Sequence, residues 1–135
     1  MKKFILMVAA LMCYVSVSAQ SGVVDNFNKG NEEFKAKNYV AAIELFEGVI
    51  IDGEAEESDA ALQCVENAKK LLPVAYMQNG IKFIGAKNYD EAIKNLNIAA
   101  SKAKNYNNAK VAQAANNAIA KVYQVQGGEL FNADD

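Results

Sequence analysis

The 135-residue chain contains no histidine, no arginine and no tryptophan, and only one proline and two cysteines. Each absence removes a class of chemistry. Without histidine there is no imidazole to ligate a metal, to serve as a general base near neutral pH, or to draw a thiolate from a cysteine. Without arginine there is no planar fork for phosphate or guanine. With 14 lysines against 16 acidic residues there is also no basic excess, so nucleic-acid binding lacks its usual footing. Paired cysteines at metal-ligand spacing and phosphate-cradling glycine loops after a strand are missing as well. These residue types offer no catalytic, cofactor or metal site. Scarce proline, frequent alanine and apolar residues recurring at three- and four-residue intervals instead predict an all-α chain.

The first residues read as an export signal. Met1, Lys2 and Lys3 form a basic start, residues 4–18 are mostly apolar, and Val17, Ser18 and Ala19 precede Gln20, which fits cleavage after Ala19. A bilayer anchor needs about 20 apolar residues, and this run is shorter and already carries Ser16 and Ser18. Ala10, Leu11 and Met12 lack the small-residue pattern expected before a lipidated Cys13. The mature chain, residues 20–135, then holds 12 lysines against 16 acidic residues, a net charge of −4. It is expected in the periplasm or outside the cell, with no membrane span once the signal is removed. Its single thiol, Cys64, leaves stability to packing rather than to a disulfide.

What the chain does contain is self-similarity. The stretch GNEEFKAKNY at 30–39, followed by VAAI, returns as GIKFIGAKNY at 80–89, followed by DEAI. A third copy, GGELFNADD at 127–135, stops one residue before the expected tyrosine, so the chain reads as part of a longer array. Gly80 and Gly127 are 47 residues apart, and that shift also places Tyr76 on Tyr123, Leu72 on Ile119, Ala68 on Ala115 and Cys64 on Val111. Gly30 and Gly80 are 50 apart, the extra residues falling in an acidic connection at 52–59. Helices are predicted over about 23–37, 39–51, 58 onward, 89–104 and 106 or 107 to 131, the first two as an antiparallel hairpin turning at Asn38. Asp52 and Gly53 are expected to stop the second. Pro73 allows two readings, one long kinked helix or a fresh helix start. Gly30 and Gly80 lie mid-helix, where glycine costs about 1 kcal/mol against alanine. They are expected to let a partner helix approach, opposite Ala42 and Ala92.

Tyr76, Gly80, Tyr89, Ala92 and Leu96, and in the first copy Gly30, Tyr39, Ala42 and Phe46, sit at the spacing of the tetratricopeptide repeat. On these positions the chain resembles that family, and in particular secreted bacterial proteins with elongated repeats. A unit of about 34 residues is exceeded here by 13 to 16, and the proline expected late in the second helix is absent. The resemblance implies antiparallel hairpins stacked as a tetratricopeptide-like α-solenoid, with elongated first helices and an incomplete third repeat. The repeats would span about 23–52, 57–104 and 106–135 within one domain, 20–135.

The resemblance further implies partner binding on the face lined by first helices. That face would hold Phe27, Asn31, Phe34, Lys35, Met77, Ile81, Ile84, Gln124 and Phe131, either as a groove for a protein or peptide or as ordinary core. A carboxylate clamp is not expected, because Ile81 and Gly128 stand where Asn31 would need polar counterparts. The acidic residues Asp52, Glu54, Glu56, Glu57 and Asp59 lack calcium-loop spacing and read as a solvated connection. Cys64 reads as packing. The expected function is a non-enzymatic interaction scaffold or adaptor, exported from the cytoplasm. The alternative is an accessory repeat domain of a longer exported enzyme or envelope-assembly protein.

Overall fold

A computed structural model of the chain describes residues 22–133. The expected signal peptide at 1–19, its expected cleavage site and Cys13 lie outside the described residues. Five helices make up the described chain, and no strand occurs among them. They are α1 (Gly22–Lys35), α2 (Tyr39–Glu56), α3 (Asp59–Gly85), α4 (Tyr89–Asn105) and α5 (Ala109–Ala133). Consecutive helices pack in pairs, and their short connections make the paired neighbours antiparallel. The described residues fall into two compact units, one ending at Leu72 and the other starting at Pro73.

In the first unit, α1 and α2 are held by apolar side chains at helical spacing. Val23, Val24, Phe27 and Phe34 of α1 are buried, as are Ala42, Ile43, Phe46 and Val49 of α2. The Phe27 and Phe46 rings lie 5.9 Å apart, tilted at 44°. Gly30 makes this closeness possible, because a Cβ there would stand 2.7 Å from Phe46 Cε1. Contrary to the expected stop at Gly53, α2 continues to Glu56, and Glu57 takes the left-handed conformation instead (φ 57°). The reason is packing. A Cβ on Gly53 would collide with Val65 and stand 3.3 Å from Val23 and 3.2 Å from the Ala61 carbonyl oxygen. Gly53 is therefore where α1, α2 and the start of α3 meet. Ser58 caps α3, its Oγ accepting from the Ala61 N–H at 3.2 Å.

Of the two readings of Pro73, the structure takes the single long helix: α3 runs through it unbroken for 27 residues. In the second unit Met77, Ala92, Leu96, Ala99, Ala115 and Val122 form a buried cluster. Gly80 is enclosed there, since a Cβ would stand 2.8 Å from Leu96 Cγ and 3.1 Å from the Ala92 carbonyl oxygen. Beside it Asn79 Nδ2 donates to Asn95 Oδ1 at 3.1 Å, and Asn95 Nδ2 donates to the Glu91 carbonyl at 2.8 Å.

Three of the four turns repeat one solution. Lys37, Lys87 and Asn107 are left-handed, at φ 65°, 59° and 57°. Around each, the following residue's N–H returns to the carbonyl five residues back: Asn38 to Glu33, Asn88 to Phe83, Asn108 to Ala103. Asn88 and Asn108 then cap the next helix through their side chains. Because Asn107 closes α4, α5 starts at Ala109 rather than at 106, and it reaches Ala133 rather than 131.

Candidate partner-binding surfaces

The nine residues expected on a concave face separate on inspection of their burial. Phe27 is 0% exposed, and Asn31, Phe34 and Met77 are buried as well. Ile81 and Ile84 are half-buried against the cluster around Leu96. Lys35, Gln124 and Phe131 are exposed. Of the two readings left open by the sequence, groove or core, the first-copy aromatic residues and Met77 take the core. Phe34 also stacks edge-on against Tyr39, with ring centroids 5.6 Å apart.

Asn31 is the exception within that core. Neither its Nδ2 nor its Oδ1 finds a hydrogen-bond partner, although both atoms are buried. Cys64 lies in the core at full burial, as its alignment with the buried Val111 anticipates.

A different surface emerges on α5. Tyr123, Leu130 and Phe131 are 58%, 65% and 71% exposed, and Gly127 has no atom within 4 Å of where a Cβ would sit. Positions 123, 127, 130 and 131 follow the i, i+4, i+7, i+8 rule, so they form one stripe along the helix. The 47-residue shift maps them onto Tyr76, Gly80, Phe83 and Ile84 of α3. There Tyr76, Phe83 and Ile84 pack against the buried cluster and Gly80 faces Leu96 of α4. One pattern is thus covered in α3 and bare in α5. The sequence carried this signal in the aligned tyrosines and glycines, yet Tyr123, Gly127 and Leu130 were not among the expected contact residues.

The stripe ends beside a polar tie. Glu129 accepts the Tyr89 hydroxyl at 2.8 Å and pairs with Lys87 at 3.4 Å. That hydrogen bond, with burial and the Glu129 charge adding to it, raises the Tyr89 phenol above its ordinary pKa of 10.0.

Nearer the start of α5, on the same face of that helix, lies a cleft of about 810 Å³ between α4 and α5. Its polar lining is Ser101, Lys104, Asn107, Asn108, Gln113 and Asn116, with alanines completing it. The acidic connection at 52–59 is exposed apart from Gly53, and Lys69 holds Glu54 at 2.9 Å. Among the described residues no three His, Cys, Asp or Glu side chains gather to hold a metal ion. No described helix is long and apolar enough to cross a membrane. Neither a family model, nor a curated protein, nor a solved structure matches the chain.

Proposed function

We propose that the chain is a non-enzymatic interaction scaffold of tetratricopeptide-like hairpins, exported from the cytoplasm, that binds a protein or peptide partner. The α5 stripe carries this reading. Tyr123, Gly127, Leu130 and Phe131 reproduce a surface that α3 uses to receive a helix, and they leave it open. Large exposed apolar side chains arranged in a row mark contact surfaces, whereas scattered ones do not. A glycine in the row lets a second backbone come close. The fitting partner element is an amphipathic helix with a small residue followed four positions later by a large aliphatic one, as Ala92 and Leu96 present to Gly80.

The reading is tested by site-specific photo-crosslinking in the native cell. A crosslinker at position 131 is expected to trap one reproducible protein adduct, and a crosslinker at the exposed Asn97 of α4 is expected to trap none. Equal trapping at both positions, or no adduct at 131, would contradict the scaffold reading.

A further inference from the structure

The two units divide their charge unevenly. Residues 20–72 carry eleven side-chain carboxylates against five lysines, a net of −6, and residues 73–135 carry seven lysines against five carboxylates, a net of +2. The contrast is sharpest between 92 and 128, where Lys94, Lys102, Lys104, Lys110 and Lys121 occur without one aspartate or glutamate. The α4–α5 cleft lies inside that stretch.

The cleft's chemistry is that of a donor-rich site. Lys104 supplies a full positive charge, and Ser101, Asn107, Gln113 and Asn116 add hydroxyl and amide donors, with no carboxylate in the lining. Asn108 already uses its Oδ1 to accept from the Val111 N–H at 3.2 Å, which leaves its Nδ2 as a donor. A cleft of about 810 Å³ is within the roughly 300–1,000 Å³ span of ligand-binding clefts. Such a lining selects an occupant with several carboxylates, because charged acceptors give the stronger hydrogen bonds.

The chain itself presents such an occupant. Asp52, Glu54, Glu56, Glu57 and Asp59 are all exposed around the α2–α3 turn. Of these, Glu54 pairs with Lys69, and the left-handed Glu57 (φ 57°) closes α2 just before the turn into α3. We propose that the α4–α5 cleft of one molecule receives the acidic α2–α3 corner of a second copy. The contact is heterologous, with cleft and corner on different units, so each molecule keeps one of each and association propagates head to tail. Opposed net charges of −6 and +2 steer this orientation and disfavour cleft-to-cleft encounters. The contact uses neither Tyr123 nor Phe131 and stands independently of the scaffold reading.

Sedimentation velocity on the mature protein tests it. Between about 0.1 M and about 1 M salt the screening length falls from about 10 Å to about 3 Å. Concentration-dependent association is expected at the lower salt, with monomer at the higher. Lys104→Glu and, separately, Glu57→Lys should each weaken self-association about fivefold, with melting curves showing that both variants fold. Mixing the two variants should restore a complex, because the unaltered cleft of Glu57→Lys then meets the unaltered corner of Lys104→Glu. A wild type that stays monomeric at low salt, variants that associate like wild type, or a mixture without rescue would overturn the proposal. So would a monomeric wild type that binds an oligonucleotide, which would assign the cleft to nucleic acid.

Discussion

Asn31 shows how one residue can cost stability without breaking the fold. Its two polar atoms are sealed among Phe27, Phe34 and their neighbours without a hydrogen-bond partner, a state that costs about 1–3 kcal/mol. Asn95 in the second unit is also buried but fully engaged, donating to the Glu91 carbonyl and accepting from Asn79. The second copy avoids the problem at Asn31's own position by using Ile81. Asn31→Ala deletes both unpaired atoms and gains helix propensity, so urea unfolding should show a gain of about 1 kcal/mol. The sequence grouped Asn31 with Phe27 and Phe34 on one side of α1 but could not show that side sealed, since helical periodicity says which residues share a side and not what lies opposite. Cys64 was more legible, because its counterpart Val111 already fixed an apolar environment.

The same distinction governs the helices. Turn chemistry was readable where it repeated: the Lys-Asn-Tyr runs at 37–39 and 87–89 mark two helix junctions in the structure. It misled at Gly53, where glycine answers a steric demand inside a helix instead of ending it. Mid-helix glycines therefore need their surroundings before they can be interpreted, and Gly80 and Gly127 illustrate the two outcomes. At Gly80 an added methyl meets Leu96 Cγ at 2.8 Å and the Ala92 carbonyl oxygen at 3.1 Å. The backbone oxygen cannot swing aside, and overpacking of this kind costs about 1–3 kcal/mol. At Gly127 nothing lies within 4 Å, so alanine should bring its helix-propensity gain of about 1 kcal/mol. Thermal unfolding of Gly80→Ala and Gly127→Ala should consequently move in opposite directions.

For the whole molecule, the all-helical class and the pairing of consecutive helices followed from the repeat itself. The bare surface did not, because aligned residues are equivalent in sequence even when only one copy of the stripe is covered. Tyr123, Gly127, Leu130 and Phe131 differ from Tyr76, Gly80, Phe83 and Ile84 chiefly in what covers them. The division of charge was present in the lysine and carboxylate positions, but it acquires meaning only once a cleft lies within the basic half. The central claim is that one repeated surface serves as core in α3 and as an open interface in α5. Denaturant unfolding of Ile84→Ser beside Phe131→Ser measures this most directly. The account predicts a loss of about 1–2 kcal/mol for Ile84→Ser and a change within about 0.5 kcal/mol for Phe131→Ser; an equal loss at both positions would contradict it.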